Sequence, residues 1–247
     1  MIDTHCHVDL YPKPTEVAAN AARAGVTTII VTNLPSAFDR AYPFVQTIRN
    51  TRLALGLHPL VAKQHETERS RFCELIDKTS YIGEIGLDFS RAGYSTKELQ
   101  IESLRFVLRT LKGKPKFITL HSRQAEATAL DILEEAGRSP VVFHWYTGSL
   151  SLLSRAVGHG HFFSVNPAMI NSPRGKKIIE ALPPDRILTE SDGPFIKIGK
   201  RPAFPWDVSM VEDYLATLWL MTRPEVSAVL RANFFRLIHP IGVIPKY

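Results

Sequence analysis

The chain begins MIDTHCHVDL, where two histidines flank a cysteine and an aspartate stands on either side. His5, Cys6 and His7 admit three readings: a thiolate metal site, half of a hard-metal hydrolase site, or a polar start to a strand. Side chains two apart on a strand point the same way. His5 and His7 therefore share an inward face, and Cys6 points outward as packing. No C-x-x-C, phosphate-binding Walker loop or G-x-S-x-G elbow occurs, which removes support from thiolate zinc, P-loop and serine-hydrolase chemistry.

Other residues that could do chemistry sit at the ends of apolar runs. Glu84, in GEIGLD, interrupts such a run, and a buried lone carboxylate is costly unless it is paired or metal-bound. A structural ion pair with an arginine would meet that cost; a carboxylate bridging two metal ions would meet it as well. His121 and His144 end two further runs at matched positions. Asp192, in TESDGP, ends the last run, with Glu190 one step below on the same face. These residues make two ligand sets: His5, His7, Glu84 and Asp192 around one ion, and Glu84, His121 and His144 around the other. Imidazole with carboxylate suits Zn²⁺ or Mn²⁺, with Mg²⁺ an alternative during turnover. Two such ions suit in-line displacement at phosphorus, with Asp192 accepting a proton from water. Asp88 is expected to orient a ligand histidine. His58, Arg91 and Arg123 are candidate phosphate contacts, although His58 before Pro59 also fits plain turn chemistry. Phe89, Trp145 and Tyr146 are candidates to stack a base or to pack the site's mouth, and Asp88 and Asn166 are grouped with the substrate-facing residues. Gly83 and Gly86 are expected to leave room for backbone or substrate.

Eight short β-like runs must hold these side chains: 2–8, 26–33, 52–58, 81–88, 116–122, 141–145, 161–166 and 186–191. Amphipathic stretches such as 15–25, 96–113 and 124–137 separate them, ending at Gly25, Gly113 and Gly137 as left-handed helix stops. Alternating strands and helices imply a parallel sheet, and near-continuous apolar strands imply burial on both faces. Eight repeats predict an α/β fold, a (β/α)₈ TIM barrel occupying 1–247 as one domain, with extra C-terminal helix packing outside. In such barrels chemistry collects at the carboxyl ends of the strands, which is where every residue above falls.

Composition fits a soluble globule: 45% hydrophobic, 22% charged and a net charge of +6. The start lacks the basic-then-apolar pattern of a signal peptide, and no run is long enough to span a bilayer. A cytoplasmic location without membrane association is expected, and two cysteines suit a reducing compartment. Excess basic charge favours polyanionic partners such as nucleic acid.

D-x-H-x-H (3–7), G-x-H-P (56–59), GEIGLD (83–88), HSR (121–123), H-x-[FY]-[ST]-G (144–148) and E-S-D-G-P (190–194) occur in this order. Together with NFFRL (233–237), they resemble the TatD-type metal-dependent hydrolases of the amidohydrolase superfamily. The resemblance implies a two-metal deoxyribonuclease that removes nucleotides from DNA 3′ ends and favours single strands. It assigns metal ligation to His5, His7, Glu84, His121, His144 and Asp192, and a substrate-side role to His58. Within the family, HWYTG, FSVNPAM and TESDGPF followed by PWDV are similar to the TatD-like nuclease of Qat-type anti-phage defence systems. Trp145, where many relatives have cysteine, and the loop after Asp192 depart from the common pattern. Two other functions use the same residues. One is a small-molecule amidohydrolase, lactonase or nucleobase deaminase; the other is a nuclease active only with companion proteins of a defence operon.

Overall fold

A computed structural model of the chain describes residues 1–242, so the last five positions of the expected 1–247 domain lie outside the described residues. Eight parallel strands follow one another in chain order: β1 (Ile2–Cys6), β2 (Thr27–Ile30), β3 (Thr51–Leu57), β4 (Tyr81–Gly86), β5 (Phe117–His121), β6 (Val142–His144), β7 (Phe162–Val165) and β8 (Ile187–Thr189). Each matches one of the eight apolar runs. The helices are α1 (Pro14–Arg23), α2 (Pro35–Val45), α3 (His65–Leu75), α4 (Lys97–Thr110), α5 (Glu126–Glu135), α6 (Leu150–Gly158), α7 (Pro167–Ile170), α8 (Pro173–Ala181), α9 (Val208–Trp219) and α10 (Arg223–Ile238). Gly25, Gly113 and Gly137 adopt positive φ just past α1, α4 and α5, the helix stop expected of them.

The seam between β8 and β1 closes mostly beyond the regular ladder. Asp192 N–H donates to His5 O at 3.0 Å, and His7 N–H to Gly193 O at 2.8 Å. Thr4 Oγ1 donates to Thr189 O at 2.9 Å, and Thr189 Oγ1 donates to Ile2 O. Sequence ends that are far apart in the chain are thereby joined, and Asp192 is set beside His5.

Two apolar bodies hold the barrel. One lies between strands and helices and includes Cys6, Ile30, Leu55, Ile85, Leu120 and Phe143. The other fills the lower barrel, from Ile2, Ile29, Ala54, Phe117, Phe162 and Leu188, and continues into Phe234, Leu237 and Ile238 of α10. Helix α10 therefore lies outside the strand wall but stoppers its amino-terminal end. Asn233 locks it there, donating to Pro184 O at 2.8 Å and to Ile187 O at 2.7 Å. With its base plugged, the barrel opens, among the described residues, where the strands end at their carboxyl termini.

Candidate metal centre

Glu84 stands at the middle of that end, 1% exposed. Its Oε2 faces His7 Nε2 at 3.0 Å, His58 Nε2 at 3.2 Å and His5 Nε2 at 3.4 Å. Its Oε1 faces His121 Nδ1 at 2.6 Å and His144 Nε2 at 2.8 Å. Asp192 Oδ1 lies 3.9 Å from His5 Nε2 and 4.0 Å from His7 Nε2. Among the described residues, every ion-pairing partner of Glu84 is an imidazole, so the arginine-paired reading of this carboxylate is not what the fold builds.

Neighbouring groups fix these rings. Thr119 Oγ1 is 2.8 Å from His5 Nδ1, and Asp88 Oδ2 is 2.9 Å from His121 Nε2. Glu190 Oε1 is 3.6 Å from His144 Nδ1 and accepts from the backbone N–H of Trp145 at 3.0 Å. His58 Nδ1 accepts from Leu60 N–H at 3.1 Å, which leaves the proton of the neutral ring on Nε2. The ring therefore presents an N–H donor to the site rather than a free lone pair.

The electrostatics follow from burial against crowding. Burial opposes the charge on Glu84, yet the surrounding imidazoles of His58, His144, His5 and His121 outweigh it and hold the carboxyl well below its usual range. Burial, together with the charges of Glu190, Glu84 and Asp3, pushes Asp192 well upward. Burial also drives His5 down to about 3, with His144 adding to the effect. Burial works against His144 as well, but Glu84 and Glu190 raise it well above the ordinary histidine value.

Divalent ions fit this donor set. His5 Nε2 is buried with no hydrogen-bond partner, facing two carboxylates. Three sets of donor atoms each fall within 4.8 Å of one another: His5–His7–Glu84, His5–His144–Asp192 and His58–Glu84–His121. The last set is weakened as a ligand group by the proton on His58 Nε2.

A family model for TatD-related DNases matches residues 2–239. The chain belongs to the TatD-related DNase family. It is 27% identical over 257 residues to the deoxyribonuclease TATDN3 of Homo sapiens, covering 96% of this chain and 94% of that protein. It is 28% identical over 252 residues to the uncharacterized metal-dependent hydrolase YabD of Bacillus subtilis, covering 96% and 98% of the two chains. The crystal structure of YJJV, a TatD homolog from Escherichia coli, superposes with a TM-score of 0.86 at 26% identity, covering 96% of this chain and 97% of the other.

In this TatD-related barrel all six proposed ligands converge, and His58 and Asp88 join them. A cavity of about 420 Å³ opens above, lined in part by Leu60, Arg123, Trp145, Thr147 and Phe195. Four expectations do not reach it. Arg91 is exposed on the β4 loop and does not line the cavity. Asn166 is fully buried, where it donates to Glu190 Oε1 at 2.9 Å and caps α7 by accepting from Met169 N–H at 3.0 Å. Tyr146 packs against Phe143 and Phe163 and donates to Ser149 O at 2.8 Å, and Phe89 packs half-buried against the outer core. Gly86 makes room for backbone, as expected, since a Cβ there would meet His121 O at 2.0 Å, while at Gly83 the space goes to a side chain, Thr119 Cγ2 at 2.2 Å from such a Cβ.

Sequence reasoning missed Thr119 and Phe195 and gave Glu190 no role. Thr119 precedes the ligand His121 by two on β5, and that spacing is a readable signal, whereas Glu190 lies just past the end of β8. Phe195 follows a Gly-Pro turn and carries no periodic signal.

Proposed function

We propose that the protein is a divalent-metal-dependent phosphodiesterase that degrades DNA, removing nucleotides from the 3′ ends of single strands. The observation that carries the reading is Glu84, whose two oxygens face separate groups of imidazoles, the arrangement a bridging carboxylate needs. Two bound ions would lower the pKa of the attacking water and neutralise charge developing on the phosphoryl oxygens. His5, His7, Glu84 and Asp192 would hold one, and Glu84, His121 and His144 the other.

The remaining work falls to the chain's own groups. Asp192 lines the cavity and is not hydrogen-bonded to the imidazoles near it, so it is the carboxylate free to take a proton from water. Glu84, hemmed in by five histidines, is not. The His58 Nε2–H donor borders the cavity and suits a non-bridging phosphate oxygen, with Arg123 at the rim as a second contact. The relatives' names speak for DNA as substrate, and no helix among the described residues is long and apolar enough to cross a membrane. The HWYTG and FSVNPAM segments support a narrower reading, a cytoplasmic nuclease component of a Qat-type defence system whose companion proteins license it.

End-labelled single- and double-stranded DNA, incubated with Mg²⁺, Mn²⁺ or Zn²⁺, tests the proposal. Stepwise shortening from the 3′ end is expected, faster on single strands and absent in Glu84→Ala. Undiminished degradation by Glu84→Ala would overturn the site assignment. Turnover of an ester or nucleoside panel without any DNA degradation would favour the small-molecule alternative, and activity restored by companion proteins would identify a licensed nuclease.

A further inference from the structure

The chain between Asp192 and α9 forms an element that the metal centre does not use. Phe195 N–H and Ile196 N–H both donate to Asp192 O, at 3.0 and 3.2 Å, so the chain turns sharply off the candidate ligand. A small antiparallel hairpin follows, β9 (Lys197–Ile198) with β10 (Arg201–Pro202), turning at Gly199 with φ +62°. Its base is anchored. Ile196 and Ala203 are buried and joined by Ala203 N–H to Ile196 O at 2.8 Å, and Arg201 grips Asp207 through two nitrogens at 2.6 and 2.8 Å. Phe204 stacks between Tyr11 and Trp206, with centroids at 5.3 and 4.7 Å.

A rigid base makes the exposed residues of this element informative. Phe195 is 57% exposed although its ring meets the His7 ring edge to face at 4.9 Å, and it lines the cavity. A large apolar ring left mostly open beside a buried polar centre gains only part of what its burial could contribute to folding. Lys197 and Lys200 are exposed on the adjoining hairpin, and among the described residues neither has an acidic partner, whereas Arg201 does. An aromatic face followed by free cations is the pattern of a surface that stacks an unpaired base and follows its phosphates.

We infer that the Phe195–Pro202 hairpin is the platform for an unpaired nucleic acid strand, with Phe195 stacking the base next to the scissile phosphate and Lys197 and Lys200 receiving neighbouring phosphates. The inference rests on the DNA reading above and names residues for strand recognition. Inside a duplex each base is paired and stacked on both faces, and only the outer face of the terminal pair is open, so the platform favours single strands, whose bases are free to turn onto Phe195.

Fluorescence anisotropy with a short phosphorothioate oligodeoxynucleotide, resistant to cleavage, tests it alongside steady-state kinetics on the ordinary strand. Phe195→Ala should weaken binding and raise KM about tenfold, within the range of one lost stacking contact. Phe195→Trp should restore both. A strand with bases omitted from both ends should already bind wild type about tenfold more weakly and lose nothing further in Phe195→Ala. Lys197→Gln with Lys200→Gln should reduce the log–log salt slope by about 1.4, roughly 0.7 per phosphate contact. Equal weakening of intact and end-abasic strands by Phe195→Ala, or an unchanged KM, overturns the stacking role. An unchanged salt slope overturns the phosphate role. Failure of wild type to bind or cut any strand overturns the DNA reading itself.

Discussion

Because Glu84 divides five imidazoles between its two oxygens, it makes a quantitative demand on metal-linked stability. Glu84→Gln keeps the side chain's shape but removes the charge that both ion sites would share. Asp192→Asn touches only the ion that His5 and His7 would hold. An ion at 100 times its dissociation constant stabilises the folded chain by about 2.7 kcal/mol per site, so two sites give about 5 kcal/mol. In a chain of this length each kcal/mol moves Tm by roughly 2–4 °C. Saturation with Mn²⁺ or Zn²⁺ should therefore raise the wild-type Tm by about 10–20 °C. Asp192→Asn should keep about half of that rise, and Glu84→Gln almost none of it. Differential scanning fluorimetry across a metal titration measures the shifts, and elemental analysis of the dialysed proteins counts the ions independently. A full wild-type shift in Glu84→Gln would refute the bridging argument. Loss of the whole shift in Asp192→Asn would refute the division into two sites.

His58→Gln should cut kcat/KM about 100-fold while leaving the metal-induced Tm shift intact, because the ring is a donor to substrate rather than a ligand; loss of that shift in fluorimetry would make it a ligand after all. Asn166→Ala should lower kcat and leave KM for DNA unchanged, since Asn166 bonds Glu190 and does not line the cavity; a selective rise in KM in steady-state kinetics would return it to the substrate contacts. His161 is buried away from the metal centre and His65 lies behind His58, whose backbone oxygen it meets at 3.0 Å, and burial lowers each to about 4 from 6.5. The unfolded chain takes up these protons below about pH 6.5 and the folded chain only near pH 4, so the stability they confer is full above 6.5 and is lost as pH falls. At about 1.4 kcal/mol per pH unit for each group, the pair should cost about 4 kcal/mol between pH 7 and pH 5. Urea unfolding at the two pH values measures that loss, and the double variant His65→Gln, His161→Gln should flatten it.

Much of this arrangement was legible because folding has no use for it. A barrel strand needs apolar residues, so histidines and carboxylates at the ends of His121, His144 and Asp192's runs stand out against an otherwise uniform pattern. Strand periodicity then separates His5 and His7 from Cys6, whose Sγ lies 3.4 Å from Gly193 O, away from the ions' side. Legibility ends where that alternation ends. β1 shifts register between Asp3 and Cys6, and Trp145 and Asp192 take positive φ of 37° and 46°. Past such turns, counting by two no longer says what a side chain faces. Trp145 reaches the cavity while Tyr146 beside it enters the core. Asn166 keeps the inward parity its position suggests, but parity does not give depth, and its partner Glu190 lies below the cavity floor. Phe195 was invisible because its importance comes from exposure beside His7, a fact of tertiary packing.

The two ends of the barrel divide stability from chemistry. At the amino-terminal end, α10 closes an apolar interior and contributes burial at roughly 25 cal/mol per Å². At the other end Asp3, Glu84, Asp88, Glu190 and Asp192 are all 3% exposed or less. Asp3 is pushed up to about 8 by burial even while Ser191 and His5 donate to it. Removing so many carboxylates from water is a standing cost. Among the described residues no lysine or arginine pairs with Glu84, Glu190 or Asp192, so imidazoles and neutral hydrogen-bond donors oppose their charge. An apolar replacement of the cluster would give a more stable protein. Divalent cations offset that cost when they bind, which ties the stability of the folded chain to the supply of metal.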